Sequence, residues 1–214
     1  MLPVGLLANF GRRLLEEDLF ISGIGGQGIQ LVGKALALAA ISEGLYVMLT
    51  GEYGGHMRGG SSVGSVVFGK SPLKSLPNLP SAAAVIALSD QFFENVGGRL
   101  RPASLVLAEE TIADKLPQLE NPKLVTVPAI ALATEAGSRM AAGMAMAGAY
   151  AALTGVVTVD SVVAAMKELV PAYRRQHVET NERAIRAGAA AVPPLAYPVS
   201  FDEAGAEPVQ GIVA

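Results

Sequence analysis

Residues 18–28 read Asp-Leu-Phe-Ile-Ser-Gly-Ile-Gly-Gly-Gln-Gly. The apolar run of 18–23 leads straight into glycines, as a buried parallel strand feeding a loop does. Behind the glycines, Leu31, Val32, Ala35, Leu36, Ala39 and Ala40 fall at helical spacing. They predict an amphipathic helix over 29–43, stopped by Gly44. Residues 45–50 (LYVMLT) then read as a second strand. Strand, glycine loop, helix and strand in this order open a parallel α/β sheet.

Further along, 62–68 reads as a strand and 70–80, with three prolines, as a loop. Residues 82–88, 104–108 and 124–127 read as strands, with a short helix over 90–96. Three helices follow at 131–153, 159–169 and 173–187, the second capped by Thr158 or Asp160. The expected fold is α/β: a Rossmann-like, open, mostly parallel sheet with helices on both faces. The expected organisation is an extension over 1–16, one domain over 17–188, and an Ala/Pro-rich tail over 189–214 lying across a surface.

The chain has 214 residues, enough for one full core. Only 16% are charged, against roughly 25% in an ordinary soluble domain. That excludes a disordered chain and suggests apolar surface buried against neighbours. With 16 basic and 19 acidic residues the net charge is −3, so nothing recommends nucleic-acid binding. There are no cysteines. Thiolate zinc sites, Cys-held iron–sulfur clusters and a Cys nucleophile are thereby excluded, and the composition fits a cytoplasmic protein. Residues 140–159 carry no charge. Their Ala, Gly and Met content and the break at Thr154–Gly155 favour a buried helix and turn over a membrane span.

Gly23, Gly25 and Gly28 form a G-x-G-x-x-G between strand and helix, the setting in which backbone N–H groups meet an anionic oxygen. A nicotinamide domain wants an acid at the end of the second strand, about 20 residues on. Glu43 precedes that strand and Glu52 follows it, and no acid/base pair for hydride chemistry accompanies them. A second glycine-dense stretch, 51–62, follows the second strand and should emerge at the same sheet edge. Within it Arg58 is the strong anion donor and Tyr53 could pack against a base or a pantetheine-like arm. The same stretch could instead be a loop ordered by a partner chain.

GIGGQG after the first strand and EYGGHMRGG after the second together resemble the gamma subunit of the 2-oxoacid:ferredoxin oxidoreductases. The resemblance runs from about Asp18 to Gly188 and includes YRRQHVETNERAIRAG. The sequence departs from it at Ala83–Ala84, where the family often carries Ala-Asp, and at Lys70 and Lys74 in the proline loop. The resemblance implies a subunit of an enzyme that oxidatively decarboxylates a 2-oxoacid to acyl-CoA. 2-Oxoglutarate is the first expectation for that substrate and phenylglyoxylate the second. It implies thiamine diphosphate, magnesium and [4Fe–4S] clusters on partner alpha, beta and ferredoxin-like subunits. Coenzyme A would dock on this chain through Gly25, Gly26, Gln27 and Gly28, with Tyr53, Arg58, Gly59 and Gly60 from the second loop. No residue is expected to be catalytic or to bind metal. The alternatives are a stand-alone NAD(P)-binding oxidoreductase and a non-catalytic scaffold. The Ala- and Gly-rich helix of 131–153 is expected to permit close helix approach, and the chain to bury part of its apolar surface against other subunits. Met140, Met144 and Met146 are expected as filler, and the YRRQH and NERAIR charges as an exposed face.

Overall fold

In the computed structural model, residues 16–53, 59–75, 78–119 and 121–201 are described. The expected extension over 1–16 therefore falls almost wholly outside them. Six strands form one sheet: β1 (Glu16–Ile24), β2 (Tyr46–Tyr53), β3 (Ser61–Gly69), β4 (Ala82–Ala87), β5 (Leu100–Glu109) and β6 (Lys123–Val127). Their order is β2-β3-β1-β4-β5-β6. β1, β4, β5 and β6 are parallel, whereas β3 runs antiparallel between β1 and β2. The sheet is mostly parallel, as expected. The first two strands are not neighbours, however, because β3 returns from β2 as a hairpin and pairs antiparallel with β1 on its other edge.

β1 is buried on both faces. Leu19 and Ile21 join one core and Phe20 the other, which is why the run reads as continuously apolar rather than alternating. The larger core lies under α1 (Ile29–Ser42), α3 (Ala129–Glu135), α4 (Ala142–Thr154), α5 (Val159–Leu169) and α6 (Val178–Ala190). The opposite face is covered by the short α2 (Glu94–Gly97), the 3₁₀ turn Glu110–Lys115 and the proline loop. Three consecutive acids at the foot of β1 divide by the same alternation. Glu16 accepts from the backbone N–H of Lys74 (2.5 Å) and Ser75 (3.2 Å), and Asp18 accepts from Ala83 N–H (3.1 Å) and pairs with Arg101. Glu17 faces the helical layer.

The helix expected over 131–153 is in fact two. Gly137, at φ +114, and the 3₁₀ turn Arg139–Ala141 separate α3 from α4. Ser138 accepts from Met140 N–H at this break, so a local side-chain bond competes with helix continuation. Likewise 173–187 begins as a 3₁₀ turn, Ala172–His177, before α6, and the helix of 90–96 shrinks to α2. α5 keeps its expected bounds, and its N-cap is Thr158, which accepts from Ser161 N–H (3.1 Å).

α4 is buried along nearly its whole length. A Cβ on Gly148 would fall 1.9 Å from the Ile185 carbonyl oxygen, and one on Gly188 would fall 1.9 Å from that of Ala145. The small residues thus let α4 and α6 meet backbone to backbone. The close helix approach expected of these small residues is met here by α6 of the same chain. Beyond α6, the chain to residue 201 straps the end of α4. Leu195, Tyr197 and Val199 donate N–H bonds of 2.8–3.0 Å to Ala152, Leu153 and Thr154.

Candidate functional site

β1 delivers the chain at Ile24 into the first glycine loop. Gly26 (φ +102) and Gly28 (φ +77) occupy left-handed backbone conformations with nothing within 4 Å of where a Cβ would stand. Glycine is therefore required here by conformation rather than by crowding. Gly28 caps α1 without a side chain of its own. Gln27 supplies the missing polar contacts. Its Oε1 accepts from Ile24 N–H (2.9 Å) and its Nε2 donates to the Leu88 carbonyl (3.0 Å). The loop is thereby pinned to the end of β4, whose next residue, Leu88, donates to Ser22 of β1 (2.9 Å).

The second glycine stretch returns to the same place. Gly25 N–H donates to the Gly60 carbonyl at 2.9 Å, and a Cβ on Gly25 would sit 3.5 Å from Gly59 N. The two loops are in contact at the carboxyl edge of β1, as the sequence leads one to expect. The roles within them differ from expectation. Gly25 N–H is engaged by Gly60, and Gln27 N–H donates to Ile24 (3.2 Å), so neither points to a ligand. Gly59 turns the chain at φ +74. Tyr53 ends β2 opposite Ser62; its side chain, like the whole of Arg58, lies outside the described residues.

Gly26 and Gly28 line a cavity of about 420 Å³. Leu31, Met140, Leu169 and Val170 give it an apolar wall, and Arg174 and His177 stand in its lining. Arg174 and His177 belong to the YRRQH segment that composition assigns to an exposed face. They are exposed, yet the 3₁₀ turn carries them to the mouth of the cavity. The α3–α4 break and that turn contribute much of the lining, and neither leaves a periodic signal in the sequence. Of the three methionines expected as core or interface filler, Met144 and Met146 are buried, but Met140, 71% exposed, is not core filler: it stands at this cavity.

Glu43 and Glu52, the two acids weighed for a ribose, have other partners. Glu43 accepts from Thr158 N–H (2.7 Å) and Oγ1 (2.8 Å) at the cap of α5. Partial burial alone would raise its pKa; the bonds from Ser161 and Thr158 outweigh that and hold it below the usual carboxylate range. Glu52 pairs with Arg99 at 3.6 Å. Neither is placed as a nucleotide-ribose acceptor. Among the described residues no cluster of three or more His, Asp or Glu side chains could hold a metal ion, and no helix is long and apolar enough to cross a membrane.

Comparison with known proteins covers this whole region. The family described as pyruvate ferredoxin/flavodoxin oxidoreductase matches residues 18–191. The chain belongs to this family. The 2-oxoglutarate synthase subunit KorC of Methanothermobacter marburgensis is 32% identical over 182 residues, covering 81% of this chain and 95% of that one. The ketoisovalerate oxidoreductase subunit VorA of the same organism is 34% identical over 145 residues, 68% of this chain but 30% of that longer protein. The keto/oxoacid ferredoxin oxidoreductase gamma subunit of Geobacter sulfurreducens superimposes with a TM-score of 0.70 at 28% identity, covering 82% of this chain and 97% of that one. The 2-oxoglutarate:ferredoxin oxidoreductase of Magnetococcus marinus shares the fold over 85% of this chain and 31% of its own, with a TM-score of 0.72 at 19% identity. This oxidoreductase chain is thus a gamma-type subunit, sized like the free-standing gamma subunits and matching only part of the longer proteins.

Proposed function

We propose that this subunit docks coenzyme A for a complex that converts a 2-oxoacid and CoA to acyl-CoA, CO₂, a proton and two electrons. 2-Oxoglutarate is the first choice of substrate, since a 2-oxoglutarate synthase subunit aligns over nearly its full length; phenylglyoxylate is the second. Thiamine diphosphate, magnesium and [4Fe–4S] clusters would sit on alpha, beta and ferredoxin-like partners, because this chain has no cysteine to hold a cluster. When bound in those partners, thiamine diphosphate supplies the carbanion chemistry of decarboxylation. The residues here position the acceptor.

The observation that carries this reading is the Gly25–Gly60 hydrogen bond, which joins the two glycine loops beside the cavity. In this proposal Gly26 and Gly28 leave backbone open toward the ligand, and Tyr53, Arg58, Gly59 and Gly60 contribute from the second loop. Gly25 and Gln27 hold the loops together. An independent NAD(P) enzyme is disfavoured by the engagement of Glu43 and Glu52. The proposal assigns the chain to the cytoplasm and treats 17–188 as the functional domain.

The test is equilibrium binding of CoA to the purified complex with and without Arg58→Ala. A contact to phosphate predicts a loss of roughly tenfold or more in affinity. Unchanged affinity removes Arg58 from the site. NAD(P)-linked turnover by the isolated chain would overturn the proposal altogether.

A further inference from the structure

The described arginines divide cleanly. Arg99 pairs with Glu52, Arg101 with Asp18, Arg183 with Glu179, and Arg186 with Asp160 and Glu182. Arg139, Arg174 and Arg175 have no acidic partner among the described residues, and all three are exposed. They also lie in or next in sequence to the cavity lining. Arg139 lies between Ser138 and Met140, which both line the cavity; Arg174 lines it directly; Arg175 follows on the same 3₁₀ turn. The Arg174 guanidinium lies 5.5 Å from the centre of the Tyr173 ring.

An excess of cation at the mouth of an apolar cavity specifies a ligand with two unlike ends. From this we infer that Arg139 and Arg174, assisted by Arg175, bind the phosphates of the acyl carrier, while its uncharged arm enters the cavity toward Gly26 and Gly28. The inference rests on the proposal that coenzyme A docks on this subunit. It adds a second anion-recognition element to the one proposed at Arg58. Arginine suits the task because its guanidinium presents paired donors to phosphate oxygens. The apolar wall of Leu31, Leu169 and Val170 offers an arm nothing that phosphate could use.

The experiment uses the whole complex. Arg139→Ala and Arg174→Ala are each expected to raise the KM for CoA roughly tenfold while leaving kcat unchanged. The KM for pantetheine, which lacks the phosphates, should stay at its wild-type value. The salt sensitivity of CoA binding, read by equilibrium dialysis, should fall in the double variant. Arg186→Gln, at an arginine already paired away from the cavity, should change none of these. A photoreactive CoA analogue separates the possible failures. Labelling of partner subunits alone overturns the docking proposal itself. Equal labelling of this chain in wild type and in the double variant overturns only the arginine assignment. Loss of subunit association on gel filtration in the double variant, with CoA affinity intact, would make the patch a protein interface and overturn it too.

Discussion

Two pairs of glycines in this molecule do opposite things. Where α4 crosses α6, Gly148 and Gly188 have conventional backbone geometry and no room, each facing a carbonyl oxygen 1.9 Å from a would-be Cβ. At the entrance to α1, Gly26 and Gly28 have open space all round and backbone angles that an L-residue resists. The first pair is required by packing and the second by conformation. One locks the helical layer; the other leaves the cavity and its loops accessible. Glycines that look alike in the sequence are therefore held by opposite requirements in the fold.

The largest effect is expected at the crossing. Gly148→Ala or Gly188→Ala must push two helix backbones apart. The expected cost is about 3 kcal/mol, the upper end of ordinary overpacking. At this chain length that lowers Tm by about 10 °C, readable by thermal unfolding. Unfolding at the wild-type temperature would erase the distinction between the two pairs.

Gln27 tests how the open loop keeps its shape. Gln27→Leu preserves bulk but orphans Ile24 N–H and the Leu88 carbonyl, at a cost of about 1–3 kcal/mol. Gln27→Glu keeps the acceptor for Ile24 and loses the donor to Leu88. Amide exchange at Ile24 should accelerate in the first variant and less in the second. Equal protection in both would mean that the loop holds itself without Gln27.

Conformation is isolated by Gly28→Ala, expected to cost about 1–2 kcal/mol through the left-handed backbone alone. Gly98 provides the contrast: it too has open space, but its φ is −69. Gly98→Ala should be neutral or stabilise by about 0.4–1 kcal/mol by restricting the unfolded chain. Chemical denaturation of the two variants should move in opposite directions. Movement in the same direction would show that space, not φ, governs the loop.

These contrasts also mark what the amino-acid order makes legible. The strand–glycine–helix opening is readable because β1 is buried on both faces and α1 carries a regular apolar stripe. The adjacency of the two glycine loops follows from both strands ending at one sheet edge. β3 was read as a strand, but its insertion between β1 and β2 is a long-range pairing with no local sign. The break at Gly137–Ser138 is hidden because Ala and Gly continue on both sides, giving no change in hydrophobicity. The cavity depends on that break and on a 3₁₀ turn beyond α5. Arg174 and His177 consequently look like surface charge until the turns bring them to its mouth. The small-residue helix announces close contact, yet composition cannot say whether the contact is internal or with another chain.

A pH-dependent effect concerns the foot of α4, where the locked layer meets the C-terminal strap. Glu17 faces this layer, and burial raises its pKa from 4.5 to about 7, against the opposing pull of Arg101 and Lys123. Tyr150, wholly buried in the same layer, is raised as well, by burial first and by the Glu17 charge second. Because the folded-state pKa exceeds the unfolded one, the folded protein binds the extra proton between about 4.5 and 7. The protonated carboxyl's contribution is fully present below pH 4.5. It is lost as pH rises through 7 and changes little above that. Wild-type stability should therefore carry a declining component across this interval, and Glu17→Gln, which keeps a neutral side chain at every pH, should remove it. Melts at pH 5, 6, 7 and 8 measure the difference. The strap over Thr154 sits against Glu17 in a cavity that also includes Lys123 and Tyr197, so exchange at the Tyr197 and Val199 amides, corrected for intrinsic rate, should loosen with pH in wild type alone. Parallel pH profiles for the two proteins would mean that Glu17 is hydrated well enough to titrate normally, and that the layer is less tightly closed at its foot than at the Gly148–Gly188 crossing.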